Sequence, residues 1–160
     1  MNQPSQHDRW FIVSQLLLLT EKEARHLLIT TNRIKALEPN LAWVEALESH
    51  IESGEMLDAF VSRFSRLQDT LGDKLLPALL RASLESTGSQ LDNLLRAEKL
   101  GWISSSEQWI EIRMLRNRLV HEYMNSAENL LQALDTALES VAVLIDTQKR
   151  LTIYAGQFIR

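Results

Sequence analysis

The chain has 160 residues, of which 45% are hydrophobic, with no cysteine and a net charge of −4. This composition fits one packed globular domain spanning residues 1–160, and it excludes disulfides, thiolate zinc sites and cysteine nucleophiles. The acidic balance argues against a general nucleic-acid coat protein, so any nucleic acid must meet a local basic patch.

The first helix is predicted from about His7 to Thr31, because apolar residues recur there with helical spacing. It contains the apolar run WFIVSQLLLL, Trp10 to Leu19. This run is far shorter than the roughly 20 residues that span a bilayer, and TEKEARH follows it instead of a small-residue cleavage site. We interpret it as part of a heavily buried helix. We therefore expect a cytoplasmic protein without membrane contact.

The segment EPN, residues 38–40, ends this helix, because proline restricts its predecessor and lacks an N–H. A second helix is predicted over about Leu41 to Glu52, ending around Gly54. A third helix runs from about Glu55 to Glu85. Its Gly72 and Pro77 predict a kink or a division into two helices.

The sequence STGS, residues 86–89, is predicted to be a turn, and the short helix QLDNLLRAEKLG after it stops at Gly101. For the next helix, Ser104 with Glu107 matches a capping box, and Ser105 with Gln108 gives an alternative register.

The last helix is predicted from about Ala127 to Tyr154, with Ser126 as its N-cap. Its apolar residues form two stripes over a wide arc. Such a helix either lies centrally in a bundle or buries one stripe against a partner. The fold class predicted from the whole chain is an all-α bundle of five to six helices.

Signatures of nucleotide-binding loops, serine hydrolases and zinc peptidases are absent from the chain. Glu23-x-x-His26 is one half of a di-iron bundle signature, which needs two such motifs, so we interpret it as a surface pair. We expect no metal and no cofactor.

The octapeptide RNRLVHEY, residues 116–123, places unusual polar residues in an amphipathic helix. At about 100° per residue, Arg116 lies within a few tens of degrees of the centre of the stripe that Trp109, Ile112 and Leu119 form. An unpaired buried arginine costs several kcal/mol. Arg116 is therefore expected either to pair with a buried carboxylate or to face a groove that an anion can reach.

Asn117 and His121 are neighbours at i and i+4, and Tyr123 lies about two turns beyond Arg116 on the same stripe. Arg113 and Arg118 flank this group and supply the local basic patch. A histidine transfers protons near neutral pH, an arginine matches phosphate oxygens, and an asparagine can orient either the histidine or a ribose hydroxyl. Metal-free RNA cleavage usually needs two proton-transfer groups, and a two-fold dimer would supply them.

The motif Arg116-Asn117-x3-His121-x-Tyr123 resembles the R-x4-H-x-Y motif of the HepT toxins, which are HEPN ribonucleases of bacterial toxin–antitoxin pairs. The resemblance implies an up-and-down HEPN-type bundle that dimerises with both motifs in one cleft. It implies metal-independent RNA cleavage in which Arg116, Asn117 and His121 are catalytic. It also implies a partner, a minimal nucleotidyltransferase antitoxin that transfers AMP to Tyr123.

Two other interpretations stay open at the level of the sequence. The chain could be a non-catalytic nucleotide- or substrate-binding subunit of a minimal nucleotidyltransferase, in which the same arginines hold a phosphate. It could also be a structural helical dimer in which the motif is a buried ion-pair cluster.

Overall fold

The computed structural model describes residues 2–122 and 126–159, and over these residues it contains helices and no β-strand. The helices are α1 (Gln6–Ala36), α2 (Leu41–Glu45), α3 (Ile51–Asp69), α4 (Leu76–Ala82), α5 (Gln90–Lys99), α6 (Ser106–Glu122) and α7 (Ala127–Gly156). A π-helical stretch, Thr70–Leu75, joins α3 to α4 without a break. The described residues thus form six continuous helical segments, and the predicted all-α class is confirmed.

Helix α1 begins at a capping box, in which Ser5 and Asp8 each accept a hydrogen bond from the other's backbone N–H. It packs against α3, α4 and α7, and Val13, Leu27 and Ile34 on that side are fully buried. The helix therefore lies along one side of the core over its whole length.

The opposite face of α1 is exposed, so the prediction that residues 10–19 are heavily buried is wrong. Phe11 and Leu18 are 59% and 62% exposed. The apolar residues of α1 are spread over all of its faces, whereas the neighbouring helices cover only one of them. No helix in the described part of the chain has both the length and the apolarity needed to cross a bilayer.

The second predicted helix is much shorter than expected. Asn40 caps α2 by accepting a hydrogen bond from the Trp43 N–H at 2.9 Å, but α2 ends at Glu45. Helix α3 then runs through Gly54, where the sequence predicted a helix end. A glycine inside a helix costs about 1 kcal/mol relative to alanine. The complete burial of Phe60 and Phe64 on α3 outweighs this cost.

The sequence predicted a kink or a division into two helices near Gly72 and Pro77, whereas the structure has the π-helical stretch there and the helix continues through it. The Leu76 N–H donates to the carbonyl of Leu71, five residues earlier, in place of the usual four. Pro77 follows in the first turn of α4. In a regular helix its ring would meet the carbonyl of residue 73, and the wider π turn changes that spacing.

Helix α5 ends in a Schellman motif at Gly101, which has a φ of +79°. The Trp102 N–H donates to the Ala97 carbonyl at 2.9 Å and the Gly101 N–H to the Glu98 carbonyl at 3.0 Å. The end predicted at Gly101 is thereby confirmed.

Both remaining helices begin at serines that the sequence proposed as caps. The Gln108 N–H donates to Ser105 Oγ at 3.1 Å, which is the second of the two predicted registers for α6. Ser126 caps α7 by accepting from the Asn129 N–H at 3.3 Å.

Helix α7 packs against α1, α2 and α6. Residues from both of its predicted stripes are buried within one chain, among them Leu134, Leu138, Ala137 and Leu144. These contacts favour a central position for α7 over the alternative in which one stripe packs against a partner chain.

Candidate functional site

Helix α6 carries every described residue of the predicted site. Its inner side is apolar, and Trp109, Ile112, Leu115 and Leu119 are all buried. Arg116 lies at the edge of this buried stripe, with its side chain 29% exposed. The position follows from helix geometry, because Arg116 is one turn from both Ile112 and Leu119 but turned slightly outward.

The Arg116 guanidinium forms an ion pair with the carboxylate of Asp69, the last residue of α3. The Asp69 side chain is 38% exposed. Of the two environments predicted for Arg116, the structure therefore shows the carboxylate partner, although this partner is at the surface and not buried.

Arg113 forms a second ion pair one turn away. Its Nη2 lies 2.6 Å from Oδ1 of Asp73 in the π-helical stretch, and its Nη1 donates to Gln90 at the start of α5. The residue numbers rise from Asp69 to Asp73, whereas those of their partners fall from Arg116 to Arg113. Helix α6 therefore lies antiparallel to the π-helical stretch, and the two pairs fasten one to the other.

Close contact beneath these ion pairs depends on Gly72. A Cβ atom on this residue would lie 2.9 Å from Nε1 of Trp109, a distance that real Cβ contacts essentially never show. Trp109 Nε1 is buried and has no hydrogen-bond partner among the described residues. The π-helical stretch thus approaches α6 more closely than any residue but glycine allows at this position.

Asn117, Arg118 and His121 lie on the outer side of α6 and are exposed. Asn117 and His121 are one turn apart on the same face, as predicted. Arg118 lies about 160° around the helix from Arg116, so the two guanidinium groups point to different sides. Tyr123, the predicted acceptor of AMP, lies outside the described residues.

The same outer face carries apolar residues that the sequence reasoning missed. Met114 and Val120 are 61% and 56% exposed and lie within a turn of Asn117 or His121. Their exposure gives this end of α6 a mixed surface of polar and apolar side chains, which is typical of contact surfaces.

Glu23 on α1 carries a buried carboxylate that contacts the π-helical stretch. Thr70 Oγ1 lies 3.0 Å from each carboxylate oxygen of Glu23 and donates its hydrogen bond to that group. Burial raises the pKa of Glu23, and the Thr70 hydrogen bond and the charges of Arg66 and Lys74 oppose this rise. The interpretation of Glu23 and His26 as a surface pair is therefore wrong for Glu23, which is buried on the side of α1 that packs against the π-helical stretch.

Asp69, Asp73 and Glu23 were not predicted as parts of the site. A signal for the first two exists in the spacing, since carboxylates four residues apart can face arginines three residues apart on a neighbouring helix. Within residues 2–122 and 126–159, no three histidine, aspartate or glutamate side chains are grouped so that they could hold a metal ion.

Comparison with known proteins gives no relative. No protein-family model, curated protein or solved structure matches the chain.

Proposed function

We propose that the chain is the toxin of a toxin–antitoxin pair and cleaves RNA without a metal ion, with Arg116, Asn117 and His121 as its catalytic residues. The observation that supports this most directly is the arrangement on α6. Asn117 and His121 are exposed one turn apart. Arg116, which precedes Asn117 in the chain and lies about 140° around the helix from His121, is partly exposed and bound to Asp69.

In this proposal His121 transfers protons to or from the ribose hydroxyl and the leaving oxygen. Asn117 orients one of these groups. Arg116 stabilises the charge that builds on the phosphorus oxygens. A guanidinium has five N–H donors, so the ion pair with Asp69 leaves donors for a phosphate. Arg113 and Arg118 contact neighbouring phosphates of the RNA.

A homodimer completes the proposed site. Cleavage through the 2′-hydroxyl is served best by two proton-transfer groups, and each chain provides one histidine on this face of α6. Two-fold packing through the end of α6 would bring both copies of His121 together and would cover the exposed Met114 and Val120.

The Arg116→Ala variant tests the catalytic role. We expect RNA cleavage to be lost while the melting temperature changes by only a few degrees, because a partly exposed ion pair contributes about 0 to 1 kcal/mol. Arg33→Ala, an exposed arginine in the last turn of α1, is the matched control. A large fall in melting temperature for Arg116→Ala alone would show that this arginine is structural.

The antitoxin in this proposal is a minimal nucleotidyltransferase that silences the toxin by transferring AMP to Tyr123. AMP would add bulk and negative charge on the stripe of Arg116 and would repel an RNA phosphate. Intact-mass measurement after incubation with the partner and ATP should show an adduct on the wild type and none on Tyr123→Phe. The same adduct on the variant would exclude Tyr123 as the acceptor.

A further inference from the structure

We propose that the outer surface of α3 and the π-helical stretch binds the RNA backbone through Arg66 and Lys74, a role that rests on the proposed ribonuclease function. This surface is a shallow concavity, which we call the α3–π groove. It is lined by Ser62, Ser65, Arg66, Asp69, Thr70, Asp73 and Lys74.

The acidic residues of the α3–π groove are already paired. Asp69 is bound by Arg116 and Asp73 by Arg113, both from α6. Each carboxylate charge is thereby balanced by an arginine. The two aspartates therefore repel an incoming anion only weakly.

The cations of the groove remain available. Arg66 is exposed and its hydrogen bond goes to a neutral group, Ser62 Oγ, at 3.3 Å. Lys74 is exposed and forms no hydrogen bond or salt bridge with any described residue. Glu23 lies behind them, is buried, and interacts electrostatically with both cations. The groove and its two arginine partners thus hold four cations against two aspartates.

The lining identifies the ligand as a phosphate backbone and not as a base or a nucleoside. Every residue of the α3–π groove is polar or charged, and none is aromatic. A nucleobase is usually held by stacking on an aromatic ring, and the groove offers none. Hydroxyls, a guanidinium and an ammonium group suit phosphate oxygens.

The length of the groove suits a polyanion better than a single phosphate. Arg66 and Lys74 are separated by about 12 Å along the helix axis, at about 1.5 Å of rise per residue. Asp69 lies between them and is bound to Arg116, which is five residues from His121 on α6. A strand that lies in the groove therefore passes beside Arg116.

The test measures binding separately from cleavage. A labelled single-stranded RNA is titrated with the His121→Ala chain at several salt concentrations. The same titration is made after adding Arg66→Ala and Lys74→Ala together. We expect weaker binding and a slope of log K against log salt that is smaller by about 1.4, since each lost contact with a single strand removes about 0.7.

The matched control adds Arg33→Ala and Lys35→Ala to the same chain. These residues are exposed in the last turn of α1, about 15 Å along that helix from Glu23. An equal salt slope in the two double variants would overturn the inference, as would the absence of RNA binding by the His121→Ala chain.

A titration with ATP distinguishes between two ligands that could supply the phosphate, an RNA strand and a free nucleotide. Loss of ATP binding with unchanged RNA binding in the Arg66 and Lys74 variant would overturn the inference in favour of a nucleotide site. The proposed function fails on a different result, which is a wild type that binds RNA in the groove but does not cleave it.

Discussion

Asp69 is the residue that fixes the direction of Arg116. If this contact positions the guanidinium for catalysis, Asp69→Asn should lower the RNA cleavage rate clearly. The free energy of unfolding should change by at most about 1 kcal/mol, because both partners are partly exposed. Single-turnover cleavage and urea unfolding measure the two effects.

Asp73→Asn is the matched control, since Asp73 binds Arg113 one turn away with similar exposure. Its effect on cleavage should be smaller than that of Asp69→Asn. Equal cleavage rates for Asp69→Asn and the wild type would contradict a positioning role for Asp69.

Glu23 gives a prediction about pH. Burial raises the pKa of this carboxyl in the folded chain above its ordinary value of 4.5. The folded state then holds the proton more tightly than the unfolded state. Stability from this group is therefore full below the ordinary pKa and is lost as pH rises through the raised pKa.

Glu23→Gln removes this titration, so the stability of the variant relative to the wild type should increase from about pH 4 to about pH 7. Urea unfolding at the two pH values measures the difference. Glu21→Gln, on the exposed side of the same helix, is the control. A Glu23→Gln difference that is the same at both pH values would contradict a raised pKa for Glu23.

At the scale of the elements, the packing of the π-helical stretch on α6 depends on Gly72. Gly72→Ala would put a Cβ against the buried Trp109 ring and push the two elements apart. We expect a destabilisation of about 1 to 3 kcal/mol, as for other overpacked contacts. Denaturant unfolding measures it.

Gly156→Ala is the control for this change. Gly156 ends α7, and a Cβ there would meet no atom within 4 Å. It should stabilise the chain by up to about 1 kcal/mol, since alanine is the better helix former. Equal effects of the two substitutions would show that Gly72 is not needed for the close approach.

Local signals predicted several element boundaries well. Ser126 and Gly101 act through hydrogen bonds to residues within five positions, so the sequence around them contains the whole cause. The end of α2 and the course of α3 through Gly54 depend instead on how the core packs. The exposed face of α1 likewise depends on which neighbours cover it.

At the scale of the whole molecule, the candidate site could be predicted only in part. The position of Arg116 on its stripe and the adjacency of Asn117 and His121 follow from helix periodicity alone. The partners Asp69 and Asp73 are 47 and 40 residues away from the arginines they bind. Their contacts arise because α6 lies antiparallel to the π-helical stretch, an arrangement that no local pattern specifies.

The α3–π groove was hidden in the sequence for the same reason. Arg66 and Lys74 are eight residues apart in the chain, and Asp69 and Asp73 lie between them. Only the pairing of Asp69 and Asp73 with arginines from another helix changes the balance of charge in the groove.

The most direct measurement is the cleavage of RNA by the purified chain in EDTA, with the wild type compared with His121→Ala. His7→Ala, an exposed histidine on α1, is the matched control. Intact mass is checked first, so that a chain already carrying AMP is not tested. We predict cleavage by the wild type and the His7→Ala chain and none by the His121→Ala chain. An unmodified wild type that leaves RNA intact, or a His121→Ala chain that still cleaves it, would contradict the proposed function.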